Sequence, residues 1–450
     1  MNGIVMKFGG SSVADAGCMR QVAELVRAAS HRRPLVVLSA MGKTTNGLFA
    51  AARAAEGGHL GAALEGIRAI EAAHLKTARD LFPGAPPAEL ETALAERFGE
   101  LELTLRGVAL LWELSPRSLD TIASFGERLS TLVFSTFLGA PLADARKVMV
   151  TDDTFGEAVP RFERLADLAA RHFGPLLAPG GPVVTQGYIG ATEDGLATTL
   201  GRGGSDYSAA LFGAALGVEE VQIWTDVQGV LTCDPRVVPE AVSIDQLTFS
   251  EAAELAAFGA KVLHPATIQP AVESGIPVTV RDTRHPSGQF TTISPDTRSG
   301  RAVTALATRG PVTVLTVNSS RMLNQSGFLA RLFEVFRRRE VSVDLIATAE
   351  VSVSLTVEAD APLDALLADL SGFARVGVVQ DRAIIAVVGE RIKQTPGVAG
   401  RVFTALGDIN LELISMGANE INLSLVVPQA EVVEALRRLH RALIEEAPCA

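Results

Sequence analysis

The chain has 450 residues, 48% hydrophobic and 20% charged, which suits about three folded domains with a sizeable core and does not match a disordered protein. Fifty-one acidic against 40 basic residues leave a net charge of -11, so nucleic acid and anionic membrane, which need clustered positive charge, are not expected partners. Cys18, Cys233 and Cys449 have no paired spacing, which excludes a disulfide scaffold or a cysteine zinc site and makes a reducing cytoplasm the expected setting. The seven histidines do not repeat at helical spacing, so no metal site built by the chain is expected; any metal would be Mg2+ arriving with a nucleotide. No run approaches the ~18 apolar residues of a membrane span, and the amino terminus reads as a strand rather than an export signal.

Strands are predicted at 4–8, 35–39, 183–188, 221–225 and 278–280, with helical spacing at 14–30, 48–81 and, after a proline-rich turn, 83–116. This alternation predicts an α/β domain with a mainly parallel sheet over residues 1–295. The polar stretch TTISPDTRSG, residues 291–300, predicts a linker and a boundary near 300. Beyond it the chain repeats: GFLARLF at 327–333 aligns with GVAGRVF at 397–403, VSVDLI at 341–346 with INLELI at 409–414, and VSVSLTV at 351–357 with INLSLVV at 421–427. Two small α+β modules, 310–382 and 383–448, are therefore expected to pair sheet to sheet, an arrangement that commonly makes a ligand site or a dimer interface.

Five motifs bear chemistry. KFGGSS, Lys7 to Ser12, puts glycines between a strand and a helix, where backbone can approach an anion; an ordinary turn with an exposed lysine is the alternative. TTLGRGGSDYSAAL, from Thr198, offers Arg202 for a carboxylate and Gly203, Gly204 and Ser205 as backbone donors, while Asp206 either caps the helix or orients a lysine. SFGERLS carries Glu127 at an expected helix start, where it would serve only the dipole. IWTDVQGVLTCDPR runs from a buried strand into a loop of the kind that borders a ligand crevice, and FGAKVLHP holds Lys261, alternatively a solvated helix-end lysine. Two lysines, an arginine and two glycine-rich turns together suit phosphoryl transfer, which needs positioning and charge neutralisation. A carboxylate acceptor would need no general base, being ionised already at neutral pH.

These motifs, in this order, resemble the aspartate kinases of the amino acid kinase superfamily over nearly the whole chain, and the tandem modules resemble ACT domains. The nearest pattern is the monofunctional, lysine-inhibited class, and the chain is too short for a fused homoserine dehydrogenase. The resemblance implies a three-layer kinase fold with ferredoxin-like ACT modules, and ATP-dependent phosphorylation of the L-aspartate β-carboxylate, the first step toward lysine, threonine and methionine. It implies that Lys7, Asp206 and Lys261 act in catalysis, and that Phe8, Gly9, Gly10, Thr225, Asp226, Leu231, Arg236 and Val262, with the two lysines, contact ATP. Thr45, Glu127, Arg202, Gly203, Gly204 and Ser205 would hold aspartate, Glu127 at the α-amino group and Arg202 at the α-carboxylate. Met322, Gln325, Phe328, Leu329, Ser342, Val343, Asp344 and Ala349 would take inhibitory lysine at a homodimer of ACT modules. Two positions depart from the pattern: Leu231 stands where a tyrosine is usual, and Ala349 where a hydroxyl is expected. A kinase for another amino acid carboxylate, or a catalytically silent ACT sensor, would share parts of this pattern.

Overall fold

The computed structural model describes residues 3–259, 265–295, 301–319, 322, 326–417 and 419–446. The chain begins β1 (Ile4–Phe8), α1 (Ala16–Ala28), β2 (Pro34–Leu38), α2 (Thr44–Glu56), α3 (Leu60–Leu81), α4 (Ala88–Leu111) and α5 (Pro116–Leu138). It continues through β3 (Leu142–Ala143), α6 (Phe162–His172), α7 (Gly174–Leu177), β4 (Val183–Gln186), β5 (Ile189–Ala191), β6 (Ala197–Thr199), α8 (Gly204–Leu216) and β7 (Glu220–Thr225). Next come β8 (Gln246–Thr248), α9 (Phe249–Ala257), α10 (Pro265–Glu273), β9 (Val278–Asp282) and β10 (Thr291–Ser294). The remainder is β11 (Ala305–Asn318), α11 (Phe328–Arg338), β12 (Ile346–Thr348), β13 (Ser352–Glu358), α12 (Leu363–Ser371), β14 (Arg375–Val388), α13 (Val398–Leu406), β15 (Leu413–Met416), β16 (Asn422–Pro428) and α14 (Val432–His440). Two compact units result: residues 3–230 with 265–295, and residues 231–259 with the described chain from 301 onward.

In the first unit the strands lie in the order β3-β4-β2-β1-β7-β9-β10, all parallel except β10. Every residue of β1 is buried, as expected of a strand covered on both faces. Ile4, Met6 and Phe8 point into the core shared with α1 to α5, while the opposite face brings Val5 toward Gly213 of α8. Lys7 shares the face of Val5 by the two-residue period of a strand, so it is directed at the α8 side. Phe173 and Phe212 meet edge to face on that side, 5.1 Å apart.

Three expectations change here. The stretch expected to be a linker from residue 291 contributes β10, paired with β9, with Thr291 and Ile293 both fully buried; its alternation is that of a half-buried strand. The helical stretch 48–81 is two helices, α2 and α3, separated by Gly57 and by Gly58 at φ 78°. The expected helix start at Glu127 is the middle of α5, because Ser115 caps that helix through the Ser118 N–H and Pro116 occupies its first turn.

In the second unit one ladder runs β12-β13-β11-β14-β16-β15, with antiparallel pairings. Each of the two long central strands serves both modules. Val312–Asn318 pairs with β13 and with the start of β14, whereas Ala305–Arg309 pairs with Ile384–Val388 at its end. The second module therefore takes its fourth strand from residues 305–309, ahead of the first module, which is inserted into it; the expected boundary at 310 divided that strand from its partners. Each module has its own core, one around Leu332, Phe336 and Leu355, the other around Val387, Val402, Leu425 and Leu436.

Residues expected to belong with the kinase domain pack in this unit. Cys233 and Val238 lie in the second module's core, and Leu306 N–H donates to Thr232 O at 2.8 Å. Val242 N–H donates to the Thr232 hydroxyl oxygen, leaving the hydroxyl hydrogen for His440 Nε2 at 2.9 Å, while His440 Nδ1 faces Glu445 at 2.7 Å. Among the described residues no helix is long and apolar enough to cross a membrane.

Candidate active site

A cleft of about 700 Å3 opens at the carboxyl ends of β1 and β2 and the amino end of α8. Lys7, Gly9, Gly10, Thr45, Glu127, Arg202, Gly203, Gly204, Ser205 and Asp206 all line it, as do Ser39, Lys43, Glu157 and Tyr188. Three basic side chains, Lys7, Lys43 and Arg202, thus share the cleft with three carboxyl groups, Glu127, Glu157 and Asp206. Each wall has a local cause.

Lys7 is buried, and its Nζ lies 2.6 Å from Asp206 Oδ1. The lysine reaches α8 because of its strand face, and Asp206 is in the helix's first turn, where a carboxylate is favoured by the dipole. Asp206 is thus ion-paired with Lys7 as well as standing in the first turn of α8. Gly201 and Gly203 both take the left-handed backbone, at φ 72° and 74°, turning the chain so that α8 opens with its N–H groups toward the cleft. Ser39 Oγ donates to Ser205 Oγ at 2.9 Å and ties β2 to that turn.

Glu127 comes from the middle of α5. Its Oε1 accepts the Ala40 N–H at 3.1 Å, and Oε2 is buried without a hydrogen-bond partner. Burial pushes the carboxyl up to about 8, because the charged form has lost water and has gained too few donors in exchange. Gly126 permits the approach, since a Cβ there would lie 2.8 Å from the Ala40 Cβ.

Phe8 is an exception among the phosphate-turn residues. Its side chain is in the core, stacked on Trp224 at 5.8 Å, so only its backbone can serve the turn. The loop at the end of β7 is held beside that turn: Thr283 donates to Thr225 O from its N–H and from its hydroxyl, each at 2.9 Å, and Ser12 Oγ meets Thr283 Oγ1 at 2.8 Å. Asp226 is exposed, 3.5 Å from Arg284. Leu231 and Arg236 belong to the second unit, where Arg236 is paired with Asp234 at 2.6 Å. Lys261 and Val262 lie outside the described residues. Among the described residues no cluster of three or more His, Cys, Asp or Glu side chains could cage a metal ion.

The expected lysine positions lie in the first module. Phe328 is core, 5.8 Å from Phe373, and Met322 and Val343 pack on the same cluster. Leu329, Ser342 and Ala349 are exposed, the last in the turn between β12 and β13. Asp344 is 2.7 Å from the Arg309 guanidinium, a partner the sequence reading did not anticipate; its Oδ2 is buried and unpartnered, and burial raises its carboxyl above the usual range. Gln325 is outside the described residues.

Sequence reasoning also missed Ser39, Glu157 and Tyr188. Their signals are weak, a serine at a strand end, a loop glutamate and a lone tyrosine, and the left-handed backbone of Tyr188, φ 65°, has no counterpart in composition.

Comparison with known proteins follows the same outline. Residues 2–282 match the amino acid kinase family, and residues 315–368 and 385–443 match the ACT domain. The chain is 42% identical to lysine-sensitive aspartokinase 3 of Escherichia coli (strain K12), over 98% of this chain and 99% of that one. Two crystal structures of E. coli aspartokinase III are 41% identical to it. The complex with lysine and aspartate, a T-state, gives a TM-score of 0.82 over 99% of this chain and 100% of that one. The complex with aspartate and ADP, an R-state, gives 0.81 over 98% and 99%. With a fold, a cleft and full-length relatives in agreement, the chain belongs to the amino acid kinase family and, within it, to the aspartokinases.

Proposed function

We propose that the cleft transfers the γ-phosphoryl group of ATP to the β-carboxylate of L-aspartate, giving 4-phospho-L-aspartate, the first step toward lysine, threonine and methionine. The observation that carries this reading is the pairing of a phosphate-directed lysine, Lys7 on Asp206, with an unpartnered buried carboxylate oxygen on Glu127 in one cleft. Phosphoryl transfer asks for neutralisation of charge on the moving group, and Lys7 at the end of β1 with the N–H groups of Gly203 to Ser205 can supply it. Asp206 holds the ammonium in place. Glu127 Oε2 is suited to the α-amino group of the acceptor and Arg202 to its α-carboxylate, with Thr45 on the same wall, leaving the β-carboxylate free to attack. The E. coli homologue bound to aspartate and ADP supports both substrates.

The further nucleotide contacts, Thr225, Asp226, Leu231, Arg236, Lys261 and Val262, and the catalytic role of Lys261 rest on the resemblance. Mg2+ fits as an ion carried on the ATP phosphates, since it retains phosphate and water ligands and needs no protein cage. It would supply charge neutralisation across the phosphates. Feedback by L-lysine at the first ACT module is supported by the lysine-bound homologue and by the unpartnered Oδ2 of Asp344. A homodimer through the ACT modules and a cytoplasmic setting complete the reading.

The test is ADP release with ATP, Mg2+ and L-aspartate, trapping the acyl phosphate as a hydroxamate with hydroxylamine, with and without L-lysine. Hydroxamate that forms only with aspartate and falls with lysine supports the whole reading. Hydroxamate indifferent to lysine removes the feedback, and none from folded protein removes the kinase.

A further inference from the structure

Asp120 lies on α5 two turns before Glu127 and does not touch the cleft, yet it is 3% exposed and carries three hydrogen bonds. Its Oδ2 accepts the N–H of Gly156 and the N–H of Thr199, both at 2.9 Å, and its Oδ1 accepts the Thr199 hydroxyl at 2.8 Å. All three donors come from segments that lead into the cleft wall. Gly156 precedes Glu157, and Thr199 ends β6 just before Gly201 and Arg202. The two segments also bond directly, Ala158 N–H to Thr199 O at 2.9 Å. A Cβ on Gly201 would lie 3.1 Å from Glu157 Cγ and 3.3 Å from Gly156 O, so the arginine-bearing turn rests on this loop.

The same network reaches a third wall residue. Tyr188 O accepts the Leu200 N–H at 2.9 Å, and the neighbouring Ile189 pairs with Thr199, so the strand that Asp120 fixes also carries Tyr188. One buried carboxylate thereby sets the position of Gly156–Glu157, Tyr188 and the Gly201–Arg202 turn.

We infer that Asp120 is the positioning residue of the acceptor subsite, holding Arg202 and Tyr188 in register for the amino acid while leaving the Lys7 and Asp206 side of the cleft to itself. The inference rests on the proposed aspartate kinase reading. Its consequence is selective: loss of Asp120 loosens the wall that meets the amino acid and spares the nucleotide.

The experiment compares steady-state kinetics of the full chain with Asp120→Ala, Asp120→Asn and Thr199→Val, varying aspartate and ATP separately. Asp120→Ala should raise KM for aspartate on the order of tenfold or more, as expected of a displaced binding group, with far smaller changes in kcat and in KM for ATP. Asp120→Asn should recover most of the loss, because one amide oxygen can still accept both N–H groups at the Oδ2 position. Thr199→Val, which keeps the backbone N–H but removes the hydroxyl bond to Asp120 Oδ1, should give a smaller rise of the same selectivity. Folded Asp120→Ala protein with an unchanged aspartate KM, or with both KM values and kcat shifted in parallel, overturns the inference. If Asp120→Ala does not fold, an aspartate KM of wild-type size in Thr199→Val overturns it. A wild-type chain that does not phosphorylate aspartate overturns the kinase reading itself and this role with it.

Discussion

Lys7 Nζ stands 2.6 Å from Asp206 Oδ1, so a strand end and the first turn of α8 are joined at the floor of the cleft. Lys7→Ala should lower kcat on the order of 100- to 1000-fold, as for other single transition-state donors, while lysine binding measured by calorimetry persists. Asp206→Asn should cost less, since the ammonium survives but loses its anchor. Wild-type turnover in Lys7→Ala would remove this mechanism.

The state of Glu127 makes acceptor binding depend on pH. Burial raises its carboxyl from an ordinary 4.5 to about 8, so at pH 7 it is mostly protonated. An α-amino cation binds the ionised form, and binding must first expel that proton. The apparent KM for aspartate should therefore rise up to about tenfold for each unit that pH falls below 8, and level off above it. Glu127→Gln should bind aspartate weakly and without this slope. A flat profile in the wild-type chain would show that Glu127 does not meet the amino group.

Gly10 is constrained by backbone, not by side chains. A Cβ there would lie 2.8 Å from Ala40 O and 3.0 Å from Gly42 O. Gly10→Ala should force the 7–13 turn and the 40–42 turn apart, costing about 1–3 kcal/mol of stability and lowering activity. Chemical denaturation monitored beside ADP release checks it; an unperturbed midpoint would mean the turns yield freely.

Asp344 is held by Arg309 and has one oxygen to spare. Asp344→Ala should weaken lysine inhibition by about 30-fold or more, the scale of a partly buried charge pair. The rate without lysine should stay close to wild type. Inhibition curves that superimpose would place the lysine ammonium elsewhere.

What the sequence disclosed was local. KFGGSS and GRGGSD announce their turns because glycine at left-handed or tightly approached positions and a carboxylate in a first helical turn are consequences of neighbouring residues alone. The seventy-residue repeat likewise exposed two ACT modules, whose strands β13 and β16 fall within one residue of the matched runs. Glu127 was misread at a helix start because its motif contains no cap; the cap is Ser115, outside it.

Tertiary structure decided what joins distant parts. That Glu127 Oε1 meets Ala40, that Asp120 meets Thr199, and that Ser39 meets Ser205 depends on packing across separations of 87, 79 and 166 residues, and no periodicity encodes such pairs. Residues 305–309 completing the second module, and residues 231–259 packing with it, were equally out of reach, because a strand's own sequence fixes which face it buries but not which strand it will lie beside. The residue types of the cleft were thus determined by sequence, and their register, burial and partners by the fold, since hydrogen bonds and desolvation act between atoms that only packing brings within reach.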